Sequence, residues 1–288
     1  MGLFDGDFLT RCQRLAFAAR TRFGGRLLGQ RPRGQLAGGT EVTGYSDYTA
    51  GDDLRYVDWN RCARLDELVV RQFRGDEDLC AYVLVDCSAS MRLGRKFDYA
   101  RQLAGALAYV GLANLVRVGV AAFAGDLLSE VPPRRGVMHV RGIWRMLDSL
   151  TPRRSETNLQ QTARSLASRH PRPGLAMVIS DLYDPRGFRR GLDILRRCEF
   201  QLHVVQMIEP EEADPGWLGE VELVHLEPAG SQHVVMDQRR AARYRRLFEE
   251  YCRSVRRYCH DYGFGCTQTS TDLPFDRRIF HMMQSACS

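Results

Sequence analysis

The chain has 288 residues, 44% of them hydrophobic and 26% charged, with a net charge of +6. That length gives one or two domains with a sizeable core, and no apolar run is long enough to span a bilayer. Nine cysteines, odd in number, scattered and without a Cys-x-x-Cys pair, argue against a disulfide framework or a zinc knuckle. Lys96 is the only lysine among 41 basic residues. Acids are interspersed throughout and no aromatic-plus-basic RNA motif appears, so the arginine excess reads as a coding bias and no nucleic acid is expected.

Residues 1–20 lack the order of a signal peptide, since Arg11, Arg14 and Arg20 interrupt the apolar positions; the expectation is a cytoplasmic protein. From about Asp7 to Gly29, Phe8, Leu9, Cys12, Leu15, Ala16 and Ala19 recur at helical spacing. Residues 30–39 form a loop by their Gly and Pro content. The block 44–64 is polar yet rich in Tyr, Trp and paired Arg and Asp. Tyr45, Asp52, Asp53, Arg55, Asp58, Trp59 and Arg61 are expected to form an ordered Arg–carboxylate network, serving as structural glue or as a partner surface. Leu68–Phe73 reads as a strand.

From Cys80 the pattern alternates strand and helix. Predicted strands are Cys80–Val85, Val118–Phe123, a short edge strand Leu127–Val131 stopped by Pro132-Pro133, Leu175–Ser180, Phe200–Ile208 and Phe264–Thr269. Predicted helices are 96–114, 139–150, 157–169, 187–197 and 238–262. In the last helix Tyr244, Leu247, Tyr251, Val255, Tyr258 and Tyr262 form one stripe, read as core. A hairpin, 220–236, is inserted before it. Such alternation implies an α/β fold: a mostly parallel sheet with helices on both faces. The N-terminal helix and an ordered irregular or β segment precede it.

The run Cys80–Val85 reads as a strand buried on both faces, and it ends in Asp86-x-Ser88-x-Ser90. One carboxylate and two hydroxyls are hard oxygen donors suited to Mg²⁺ or Mn²⁺; a strand end capped by Asp and Ser is the plainer reading. Thr157 precedes a predicted helix, and Asp181 follows Met177–Ser180. In a parallel sheet all three loops open on the same edge, so Asp86, Ser88, Ser90, Thr157 and Asp181 could surround one ion.

This set resembles the metal-ion-dependent adhesion site of von Willebrand factor A-type domains. Gly44-Tyr45 with Gly51-Asp52-Asp53-Leu54-Arg55-Tyr56-Val57-Asp58-Trp59, ahead of such a domain, is similar to the MoxR-associated proteins of the domain-of-unknown-function 58 family. Glu209-Pro210-Glu211-Glu212 and Thr271-Asp272 also fit that family. Ser155-Glu156 stands where such domains often carry two glycines, and it adds a carboxylate near the proposed ion. The resemblance implies a von Willebrand factor A-like domain over residues 79–275, an extension over 1–78 packed on it, and a tail at 276–288. It implies a non-enzymatic, metal-dependent binding module with a MoxR-type AAA+ ATPase as partner, whose acidic residue would complete the metal shell. Two alternatives stand beside it: a metal-dependent phosphoester hydrolase and a nucleic-acid-binding module. No Gly-x-Ser-x-Gly elbow is present for a serine hydrolase.

Overall fold

The structure is a computed structural model that describes residues 2–22, 42–47, 62, 69–73, 80–153, 156–214, 216, 219–224 and 231–285. Two compact units are defined, residues 31–79 and residues 1–30 with 80–288. In the smaller unit, β1 (Val42–Asp47) pairs antiparallel with β2 (Val69–Phe73). Of the expected network, Tyr45 lies on β1, whereas Asp52, Asp53, Arg55, Asp58, Trp59 and Arg61 lie outside the described residues.

The larger unit carries a six-stranded sheet in the order β10-β7-β6-β3-β4-β5. These strands are β3 (Cys80–Asp86), β4 (Arg117–Phe123), β5 (Leu127–Arg134), β6 (Leu175–Ser180), β7 (Gln201–Ile208) and β10 (Gly265–Ser270). All neighbours pair parallel except β4 with β5. β3 sits in the interior, as its unbroken apolar run requires: Ala81 to Val85 are all buried. From β3 the chain builds β4 and β5 to one side, then returns to build β6, β7 and β10 on the other. The carboxyl end of β3 is therefore the topological switch point, where open α/β sheets leave a crevice.

Period-two alternation divides the sheet between two helical layers. Tyr82, Leu84, Phe123, Val178 and Val204 join one cluster with Leu159 and Leu166 of α4 (Leu159–Arg169), Leu192 and Leu195 of α5 (Phe188–Arg197) and Val255 of α7 (Gln238–Asp261). On the other face lies α2 (Lys96–Ala113), in contact with β3 and β4, and packed in turn by α1 (Gly6–Arg22), α3 (Val140–Ser149) and α8 (Phe275–Ser285). α6 (Pro210–Ala213) follows β7, and β8 (Gly219–Val224) with β9 (Ser231–Met236) makes the expected hairpin.

Three expectations are corrected. Pro132-Pro133 does not stop β5, which runs on to Arg134. An edge strand has one row of amides facing away from the sheet, and a register shift between Val118 and Val120 accommodates the pair. Of the expected tail 276–288, the described part, residues 276–285, is helical: Phe275, Ile279, Met282 and Met283 are buried on α8. Their spacing of four, three and one puts them on one helical face. The stripe of α7 is core only towards its middle, since Tyr262 at its end is 45% exposed. Val255 and Tyr258 are buried, but Tyr244 is 38% and Leu247 51% exposed.

An acid and hydroxyl pit at the sheet's carboxyl edge

Four of the five proposed site residues sit at or just beyond a strand end, and Thr157 lies just before a helix. Asp86 ends β3, and the main-chain N–H of Ser88 donates to its Oδ1 (2.8 Å), folding the chain back on itself. A 3₁₀ turn, Ala89–Arg92, then leads to α2. Cys87 N–H donates to Phe123 O (2.7 Å) and Arg153 N–H to Cys87 O (2.6 Å), so this loop is tied to the β4 end and to the segment approaching Thr157. Asn158 caps α4 by accepting from Gln161 N–H, which sets Thr157 just outside the helix. Asp181 follows β6, and Leu182 beyond it takes a φ of 65°, a left-handed turn that non-glycine residues seldom adopt.

The five converge. Thr157 Oγ1 donates to Asp86 Oδ2 (3.2 Å), Ser88 Oγ and Ser90 Oγ share a hydrogen bond (3.1 Å), and Ser90 Oγ donates to Asp181 Oδ1 (3.1 Å). Asp86, Ser88, Thr157 and Asp181 are at most 2% exposed, and Ser90 is the half-buried member at the mouth. Glu156 does not join them; its carboxylate is 3.5 Å from Arg186. Ser155 lies outside the described residues.

Sequence reasoning missed the groups that complete the pit. Ser180 Oγ donates to Asp86 Oδ2 (2.6 Å) and accepts from Leu182 N–H. Lys96, fully buried, places its ammonium 2.7 Å from Asp181 Oδ2 and 2.7 Å from Glu212 Oε1. Glu212 closes a capping box with Glu209 around α6. Glu209 Oε2 accepts from Thr271 Oγ1 (2.9 Å) and Arg95 N–H (3.2 Å). Gly94 has a φ of 53°, and a Cβ there would lie 2.3 Å from Glu209 Cδ, so a larger residue would strain the turn and displace the Glu209 carboxylate. Glu209, Glu212 and Thr271 of the family-like segments thus belong to one polar network along the strand ends, and Glu211 and Asp272 face solvent.

The electrostatics of this network are unbalanced. Of the buried carboxylates Asp86, Asp181, Glu209 and Glu212, Asp181 and Glu212 pair with the Lys96 ammonium, while Asp86 and Glu209 are held by hydrogen bonds from hydroxyls and main-chain N–H groups. Burial, then the charge of Asp181, pushes the Asp86 carboxyl up to about 6, against hydrogen bonds from Ser180 and Ser88. Burial opposes the charge of Lys96, but Asp181 and Glu212 outweigh it and hold the ammonium above its ordinary range. Glu212 has only a share of that ammonium, so burial prevails and its carboxyl is raised.

No group of three or more His, Cys, Asp or Glu side chains fit for a metal occurs among the described residues. Two carboxylates and three hydroxyls instead offer neutral and anionic oxygens in a cation-deficient pit, a donor set that fits Mg²⁺ or Mn²⁺.

The molecule is thus an α/β protein with an acid and hydroxyl pit at the switch point of a mostly parallel sheet. The family described as "Protein of unknown function DUF58" matches residues 44–258, three-quarters of the chain, and the protein belongs to it. Uncharacterized proteins of Mycobacterium tuberculosis and Mycobacterium bovis are 27% identical over 186 residues, covering 62% of this chain and 58% of theirs. The chain therefore spans well under two-thirds of the length of these relatives. The conserved hypothetical protein BatB from Bacteroides thetaiotaomicron aligns over 73% of this chain and 98% of its own, with 15% identity and a TM-score of 0.45. Proximal thread matrix protein 1 of the mussel byssus aligns over 45% of this chain and 38% of its own, with 10% identity and a TM-score of 0.37. No helix among the described residues is long and apolar enough to cross a membrane.

Proposed function

We propose that residues 79–275 form a von Willebrand factor A-like domain acting as a non-enzymatic, divalent-metal-dependent protein-interaction module, an adaptor for a MoxR-type AAA+ ATPase. The observation that carries this reading is the pit itself. Two carboxylates and three hydroxyls are hydrogen-bonded into one cluster in a buried region short of positive charge. Asp86, Ser88, Ser90, Thr157 and Asp181 would hold Mg²⁺ or Mn²⁺. A bound ion of this kind supplies a Lewis-acid position that an acidic side chain of a partner can complete. Ser90, at the mouth, lies on the side from which such a side chain would enter. No histidine among the described residues hydrogen-bonds to these five, and every hydroxyl of the pit is engaged with a carboxylate or another hydroxyl. That favours binding over general-base catalysis.

Calorimetric titration of Mn²⁺ and Mg²⁺ into the wild type, Asp86→Ala and Thr157→Ala tests the ion. Affinity should fall at least tenfold in each variant, and equal affinities would refute the assignment. Co-purification with a MoxR-type ATPase from the same organism, with ATP, tests the partner. The complex should be lost in EDTA and in Asp86→Ala; a complex that survives both would remove the ion from the contact.

A further inference from the structure

Beside the pit lies an open cleft of about 450 Å³. Its walls are Leu93, Tyr183, Tyr244, Leu247, Phe248 and Tyr251. Two aromatic pairs build them: Tyr183 with Tyr251 (ring centroids 5.5 Å apart) and Tyr244 stacked on Phe248 (6.4 Å). This is where the aromatic stripe of α7 leaves the core. Tyr244 and Leu247, at helical spacing with buried Val255 and Tyr258, are left 38% and 51% exposed.

The cleft and the pit share a wall. Tyr183 N–H donates to Asp181 Oδ1 (3.2 Å). The Lys96 ammonium, 2.7 Å from Asp181, lies 5.3 Å from the centre of the Tyr183 ring. Leu93 comes three residues after Ser90. Charge selects the occupant. The first half of α7, residues 238–248, carries Arg239, Arg240, Arg243, Arg245 and Arg246 and no acid. Asp214 pairs with Arg245 and Glu250 with Arg246, while Arg243 stands beside Tyr244, four residues before Leu247. Inside the cleft Glu212 is buried and shares the Lys96 ammonium with Asp181, leaving Glu211 as the exposed carboxylate of the lining.

We propose that this cleft is a docking site for a partner segment in which large apolar residues are flanked by acidic ones, the apolar side chains seated among the tyrosines and an acid facing Arg243. The direction in which the segment continues, with one acid towards the pit, rests on the function proposed above; the cleft contact does not. Aromatic walls give contact area at low conformational cost, and the basic helix steers an acidic segment towards them.

The probe is the peptide amide acetyl-Asp-Leu-Phe-Asp, titrated into the full chain labelled with fluorotyrosine, with the ring signals of Tyr183, Tyr244 and Tyr251 followed by NMR. Acetyl-Arg-Leu-Phe-Arg amide is the comparison. The acidic peptide should shift these signals and bind at least fivefold more tightly than the basic one. Tyr244→Ala and Arg243→Glu should each weaken it at least fivefold, and Glu211→Gln should strengthen it. Tyr244 and Arg243 on α7 and Glu211 on α6 are exposed, so these variants should keep the fold. Preference for the basic peptide, or weakening by Glu211→Gln, would overturn the proposal in favour of a basic partner. Binding that Tyr244→Ala leaves unchanged would overturn the cleft, even if Asp86→Ala abolished it and so upheld the ion. Cleft-dependent binding that is equal in Mg²⁺ and EDTA would uphold the cleft and overturn the continuation of the segment towards the pit.

Discussion

A single lysine in a chain that otherwise uses arginine is a choice of shape. Lys96 is fully buried and joins Asp181 to Glu212 from one compact ammonium, with 2.7 Å contacts to both. A planar guanidinium needs more room and presents its donors in a fixed fork. Removing the charge leaves two buried carboxylates without a cation, which costs about 3–5 kcal/mol. Lys96→Met should therefore lose stability of that order in urea denaturation. Lys96→Arg should lose part of it, because the charge is retained but the closed site must expand. A Lys96→Arg variant as stable as the wild type would mean that charge alone is required. The uniqueness of Lys96 was legible in the sequence. Its partners were not, because Asp181 and Glu212 lie 85 and 116 residues away and no local pattern joins them. The five oxygen-bearing residues were legible for the opposite reason: each follows a strand end or precedes a helix, so the parallel topology alone brings them to one edge.

Among the elements, the pairing of β7 with β10 carries a titrating group. Gly265 lies opposite His203, and a Cβ there would sit 2.3 Å from the imidazole Nδ1. His203 Nε2 is 2.9 Å from Thr267 Oγ1 on the same pair of strands. Gly265→Ala should cost about 1–3 kcal/mol by overpacking. Burial lowers the His203 pKa to about 4 from 6.5. Between those values the unfolded chain holds the proton and the folded protein does not, so stability falls as pH drops from 6.5 towards 4, by an amount of the order of 1–3 kcal/mol. Asp86, raised to about 6, contributes the opposite slope over an overlapping range, so the measurement is a difference. The unfolding free energy of His203→Gln minus that of the wild type should rise as pH falls through this window. A flat difference would show that His203 is protonated when folded. Element order was readable from apolar runs and helical periodicity. What escaped depended on surroundings. Pro132-Pro133 is tolerated because β5 is an edge. The α7 stripe leaves the core because the elements beneath its first half form a cleft, and periodicity records which face is apolar, not what covers it.

At the scale of the whole molecule the pit is confined to one of two compact units, since all five residues lie in 80–288 and none in 31–79. An ion bound only by the folded pit stabilises that unit by mass action, by about 2.7 kcal/mol at a concentration one hundred times its Kd. The expected rise in melting temperature is roughly 5 °C. Asp86→Asn should abolish the rise. In EDTA near neutral pH the same variant should stay within about 1–2 kcal/mol of the wild type, because it removes a charge facing Asp181 and keeps one acceptor oxygen for Thr157 and Ser180, while its amide nitrogen forfeits the bond from Ser88 N–H. The stabilisation should also be local. Hydrogen exchange followed by mass spectrometry should show Mg²⁺ slowing the amides of 86–92, 156–160 and 180–184 in the wild type only. Peptides from 31–79 should exchange at the same rate with Mg²⁺ or EDTA. Protection that persists in Asp86→Asn would place the ion elsewhere, and protection spreading equally into 31–79 would mean that the two units respond to the ion as one body.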